Sequence, residues 1–129
     1  MKFIKYFCRN FRFVLILGWV ALAGAPYAQT KWPERPVKLI VPFPAAGPAD
    51  AIARALSEKL TQKLGQAFVV ENRPGGGGDT ATAWVAKAAA DGYTLVLGAG
   101  ATLAVSPALS KHLPYDSLRD FAPIATLAT

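Results

Sequence analysis

VKLIVPFPAAGPAD, residues 37–50, is the stretch on which the fold turns. Its first half, VKLIVPF, is a short and nearly continuous apolar run rich in β-branched residues and closed by Pro42 and Pro44. Such a run reads as a strand buried on both faces, the kind a parallel sheet contains. Its second half is small, poor in charge and followed by an amphipathic pattern. Over residues 50–64, Ile52, Leu56, Leu60 and Leu64 recur four apart, with Glu58, Lys59 and Lys63 elsewhere, which predicts a helix ended by Gly65 as its C-cap.

Downstream the alternation repeats. AFVVEN (67–72) is a second strand and RPGGGG (73–78) a loop. Asp79 is a good N-cap for an alanine-rich helix over residues 80–90, and Asp91-Gly92 makes a turn. YTLVLG (93–98) is a third strand, and after a Gly and Ala loop a short helix is expected over residues 102–109. LPYDSLRDF (113–121) is a connector, and APIATLAT (122–129) reads as a further strand. Strands alternating with helices indicate an α/β fold with a parallel sheet and right-handed crossovers, here β-α-β-α-β-α-β. Ligands of such sheets bind outside the carboxyl ends of the strands, which singles out FPAAGPAD (43–50), NRPGGGGD (72–79) and GAGATLAVSP (98–107).

Upstream lies MKFIKYFCRNFRFVLILGWVALAGAPYAQT, with Lys2, Lys5, Arg9 and Arg12 ahead of an uncharged apolar stretch over residues 13–25 and no acid before Glu34. That order is a secretory signal peptide's, assigned to residues 1–28, with cleavage after Ala23 or Ala28 both open. A membrane-spanning helix needs about 20 apolar residues, and Arg12 and Pro26 bound this stretch too closely. Of the chain's 14 Lys and Arg, four leave with the signal, so from Gln29 onward 10 basic residues face eight acids, 10 − 8 = +2. The remaining charges are interspersed, so no nucleic-acid partner is expected. The only cysteine, Cys8, lies in the basic segment, which leaves the mature part without a disulfide, a thiolate metal site or a lipid-anchoring cysteine.

Catalytic patterns are missing from the sequence. His112 stands alone in the polar run SKHLPYD, and neither an HExxH nor a G-x-S-x-G pattern occurs. Asp50, Asp79 and Asp91 each sit at a helix start or turn, where capping explains them. Gly75, Gly76, Gly77 and Gly78 are not followed by Lys-Ser or Lys-Thr, so they form no phosphate loop. No enzyme activity, cofactor or metal is expected. FPAAGPAD and GAGAT admit two readings, an anion site made of backbone amides at helix N-termini or ordinary tight turns.

RPVKLIVPFPAAGPAD (35–50), LGQAFVVENRPGGGGDTAT (64–82), VAKAAADGYTLVLG (85–98) and VSPALSKHLPYDSLRDFAPI (105–124) stand in an order and spacing that resemble the extracytoplasmic solute receptors of tripartite tricarboxylate transport systems, the Bug proteins. The resemblance implies a type II periplasmic-binding-protein fold, two α/β lobes that close on a small carboxylate: a di- or tricarboxylate, an acidic amino acid or an aromatic acid. Residues 29–129 then form an incomplete first lobe, a parallel βαβαβ sheet. It implies a monomeric periplasmic receptor that delivers its ligand to integral membrane permease subunits. The first binding loop maps onto Phe43, Pro44, Ala45, Ala46, Gly47 and Asp50, and the second onto Ala101, Thr102 and Ser106. Backbone amides of Ala45, Ala46, Gly47, Ala101 and Thr102 and the hydroxyls of Thr102 and Ser106 are the implied donors, with Asp50 as a helix cap. The family pattern has two glycines where this chain has Ala46-Gly47, often Thr or Ser at Ala49, and Asn at Ser106. Family members are much longer, so a truncated receptor is expected, the alternative being an exported fragment that binds nothing.

Overall fold

A strand whose amide groups are paired on both sides takes mostly apolar residues, and this is the position VKLIV occupies: Val37, Leu39, Ile40 and Val41 are buried, and Lys38 is exposed. In the computed structural model, which describes residues 31–127, β1 (Val37–Val41) is the middle strand of a three-stranded parallel sheet of order β2-β1-β3. It pairs with β2 (Phe68–Asn72) from Val37 against Phe68 to Val41 against Asn72, and with β3 (Thr94–Val96) from Lys38 against Thr94 to Ile40 against Val96. Bonds from Lys38 N to Tyr93 O (2.9 Å) and from Leu97 N to Ile40 O (2.8 Å) extend the second ladder.

Alternation along β1 divides the core. Leu39 and Val41 face the first helix, α1 (Pro48–Leu64), and pack with Ala53, Leu56, Val70 and Leu95. Fully buried Ile40 points to the opposite face. The chain steps from β1 outward to β2, then back across β1 to β3. With the right-handed crossovers that parallel connections take, this reversal sets α1 and the second helix, α2 (Asp79–Ala86), on opposite faces. The sheet therefore has its switch point between β1 and β3.

Helix α1 begins two residues before the expected start, with Pro48 at its first position, where a missing N–H costs nothing. It ends as expected: Gly65 adopts φ +73° and donates to Thr61 O at 3.0 Å. Its buried stripe is rotated from the expected one. Ala53 and Ser57 are buried and Ile52 is 41% exposed, because small side chains let the helix lie close on the sheet while Leu56, Leu60 and Leu64 fill the flank.

Other expectations need correcting. Helix α2 stops at Ala86 rather than at residue 90. Ala88 N bonds Val85 O at 2.9 Å, and the chain turns away through Asp91-Gly92 toward β3, so sheet closure overrides the helix propensity of three alanines. Asp79 is not the N-cap but the first helical residue, and Gly78 occupies the cap position. The third helical segment starts at Ala101 as one π-wound stretch, Ala101–Val105, that runs into α3 (Ser106–Leu109). The expected fourth strand does not form among the described residues. Residues 122–127 are exposed, Ile124 to 81%, and lack the ladder partner that makes a strand. The segment assigned to a signal peptide, residues 1–28, lies outside the described residues. No helix among the described residues is long and apolar enough to cross a membrane.

Candidate functional site

All three βα loops emerge at the carboxyl edge of the sheet and meet around Gly78. A β-carbon there would lie 2.8 Å from Thr102 Cγ2 and 3.2 Å from Pro42 Cβ, so the loops after β1, β2 and β3 touch at this one residue. Thr82 fastens it from below, donating Oγ1–H to Gly78 O at 2.9 Å.

In the first loop, Pro44, Ala45 and Ala46 are exposed, while Phe43 and Gly47 are half-buried. Ala45 and Ala46 make a tight turn, with Ala46 at φ +65°, a region that disfavours a side chain. Asp50 does not take the capping position assigned to it from sequence. That position is Gly47, and Asp50, the third helical residue, is only 4% exposed and reaches back to accept the Ala46 N–H at 2.9 Å. Ala46 thus spends its amide inside the loop. Asp50 Oδ2 also accepts Arg54 Nε–H at 2.8 Å, and Asn72 Nδ2 donates to Asp50 Oδ1 at 3.0 Å. The Arg54 hydrogen bond, then the Ala46 amide and Asn72, hold the Asp50 carboxyl down at about 2, against an opposing push from burial. Its charge is spoken for by these three partners.

Relieving the strained corner gives a direct test. Ala46→Gly is expected to stabilise the chain by about 0.5 kcal/mol, since the left-handed penalty of about 1–2 kcal/mol exceeds the added unfolded-state entropy of glycine. The melting midpoint should rise by about 2–4 °C. An unchanged or lowered midpoint would show that the turn carries no strain.

The second loop is also more inward-looking than the sequence implies. Thr102 is fully buried, and both its N–H and its hydroxyl donate to Ala99 O, each at 3.1 Å. Leu103 N adds a third bond to the same oxygen at 2.9 Å. Thr102 therefore shapes the loop instead of offering donors. Ala101, the first residue of the π-wound stretch, is exposed, and Ser106, the first residue of α3, is half-buried.

Sequence reasoning missed the residues that tie these loops together. Tyr115, from the connector LPYDSLRDF, is buried, and its hydroxyl lies 2.7 Å from Asp79 Oδ1 and 2.6 Å from Thr102 O. Burial, then the hydrogen bond to Asp79, pushes the phenol up to about 12, the Ser106 hydroxyl pulling the other way. The connector also holds Leu113, Leu118 and the aromatic Phe121, so no local pattern singles Tyr115 out. From sequence, Asn72 is the end of a strand and the first residue of the loop NRPGGGGD, with no partner of its own.

Arg73 is engaged with Glu71 at 2.6 Å and lies 3.8 Å over the Trp84 ring, while His112 is exposed. Among the described residues no group of three or more His, Cys, Asp or Glu is placed to hold a metal ion. Backbone dipoles at the start of α1 are of the kind that suits an anion. A concavity of about 490 Å³, lined by Arg54, Ser57, Glu58, Thr61, Gln62, Phe68 and Val70, lies instead along α1 and β2, on the flank rather than at the loops.

Comparison with known proteins places this geometry. Residues 52–129 match the family described as tripartite tricarboxylate transporter family receptor. Protein BugT of Bordetella pertussis (strain Tohama I) is 44% identical over 118 residues, covering 88% of this chain and 36% of its own length. The solved structure of periplasmic binding protein BugD superposes with a TM-score of 0.68 at 43% identity, over 72% of this chain and 31% of that one. MatC from Rhodopseudomonas palustris, solved with bound malate, gives 0.68 at 40% identity, over 71% and 31%. The chain spans about a third of the length of these relatives. Its α/β sheet is part of the domain those periplasmic binding proteins share, and the family's members are receptors rather than enzymes. By the family match over most of its described length, the chain belongs to the tripartite tricarboxylate transporter receptors.

Proposed function

We propose that this chain supplies the first-lobe part of a periplasmic receptor for a small carboxylate, a di- or tricarboxylate, acidic amino acid or aromatic acid, and that the receptor hands its ligand to integral membrane permease subunits. Residues 1–28 act as the export signal and residues 29–129 as the lobe portion, working as a monomer. The observation that carries this reading is the placement of two charge-poor loops, residues 43–47 and 99–106, at the switch point between β1 and β3, in a chain 40% identical to a protein solved with malate. In the first loop the amides of Ala45 and Gly47 meet the carboxylate, and Phe43 and Pro44 shape the wall. Ala46 contributes its turn geometry, and Asp50 holds that turn from behind. In the second loop the exposed Ala101 faces the ligand with Ser106 beside it, and Thr102 fixes their backbone from below.

Malate is the first probe. Calorimetric titration of the full chain is expected to show saturable binding near about 1 mM, equivalent to about −4 kcal/mol, with no heat from the uncharged diamide of malic acid. Heat from the diamide equal to that from malate would remove the carboxylate from the reading. Failure of malate, adipate, glutamate and benzoate alike would leave an exported chain that binds none of these classes.

A further inference from the structure

Three polar side chains from two different elements close a ring behind the first loop. Asn72, the last residue of β2, donates from Nδ2 to Phe43 O at 3.2 Å and to Asp50 Oδ1 at 3.0 Å. Asp50, in the first turn of α1, accepts the Ala46 amide at 2.9 Å and Arg54 Nε–H at 2.8 Å. Arg54 returns to Asn72, its Nη2 lying 3.4 Å from Asn72 Oδ1. The loop is thus gripped at two points three residues apart, a carbonyl and an amide, by partners that are bonded to each other.

Each member is suited to its place. Only an amide side chain can donate to Phe43 O and Asp50 while accepting from Arg54. Only a carboxylate gives α1 an acceptor that reaches back to the loop and also pairs with the guanidinium one turn on. The grip has a directional result, because it faces the Ala46 N–H away from solvent and holds that residue at φ +65°. The exposed Ala45 segment is what remains for a ligand to meet.

We infer that Asn72 and Asp50, braced by Arg54, are positioning residues that set which face of the loop at residues 43–47 is offered to the ligand. The inference rests on the receptor reading for the ligand, but the shape of the loop can be measured without one. None of the three touches the carboxylate. They act through the backbone they hold.

The test uses amide hydrogen exchange and malate titration on the full chain. Asn72→Ala is expected to raise the exchange rate of the Ala46 amide about tenfold, while the amides of Leu39 and Ile40 in β1 keep their protection, and to weaken malate binding by about the same factor. Arg54→Gln, at a more exposed position, keeps the test alive if Asn72→Ala does not fold, and should speed Ala46 exchange about threefold. In the wild type the Ala46 amide resonance should also report protonation of its partner as the pH falls from about 4 to about 2. Exchange at Ala46 that is unchanged, or that rises equally at Leu39 and Ile40, overturns the clamp. Wild-type protein that takes up no malate while Asn72→Ala still loosens Ala46 counts against malate as the ligand and leaves the clamp standing.

Discussion

Gly78→Ala should cost the chain about 3 kcal/mol. About 1–2 kcal/mol comes from placing a side chain at φ +101° and about 1–3 from overpacking. The new carbon would stand 2.8 Å from Thr102 Cγ2, and neither neighbour can yield cheaply. Thr102 is fully buried and held by two hydrogen bonds to Ala99 O, and Pro42 is part of the backbone leaving β1. For a domain of about 100 residues the melting midpoint should fall by more than about 10 °C. Gly77→Ala is the matched control. It sits at φ +66° with nothing within 4 Å of the added carbon, so it should lose only the backbone part, about 1 kcal/mol. Equal losses at the two sites would show that contact among the three loops adds nothing.

Tyr115→Phe is the second large effect, about 2 kcal/mol by chemical denaturation at neutral pH. The single phenolic proton is shared between the Asp79 carboxylate and the Thr102 carbonyl, and removing it leaves the buried Thr102 oxygen and the half-buried Asp79 oxygen without this donor. The loss also carries a pH signature. Burial and the bond to Asp79 push the phenol up to about 12 in the folded chain from its ordinary 10.0, so its contribution is complete below about pH 10 and is lost as pH rises toward 12. The stability gap between wild type and Tyr115→Phe should therefore narrow as the pH rises from about 10 to about 12. A gap that stays constant across that range would mean the hydroxyl is not the group being read. Because Thr102 anchors the second loop, the same variant should also weaken malate binding.

Much of this was legible before the fold was known. The apolar run at residues 37–41, its two proline stops and the helix ended by Gly65 follow from period, burial and backbone preference, which are local properties. The three βα loops were located by the same means, and the family resemblance named two of them as binding loops. What the sequence misjudged was where polar atoms point. From sequence, Asp50 is a helix cap, because a side chain near a helix start is ordinarily explained by its own turn, and the family resemblance makes Thr102 a ligand donor. Their actual partners are Ala46, Arg54 and Asn72 for the one and the carbonyl of Ala99 for the other. Asp79 follows the same pattern, meeting a tyrosine 36 residues away.

The sequence by itself determined the parallel α/β order, the C-cap at Gly65 and the family, since each is written in spacing along the chain. Only the tertiary structure decided that the sheet runs β2-β1-β3, that Gly78 is where three loops meet, and that Asn72 and Tyr115 hold the loops from behind. The physical reason is range. Backbone propensity and apolar period act over a few residues, whereas a hydrogen bond between Asn72 and Phe43, or one from Tyr115 to Thr102, exists only after the strands have paired.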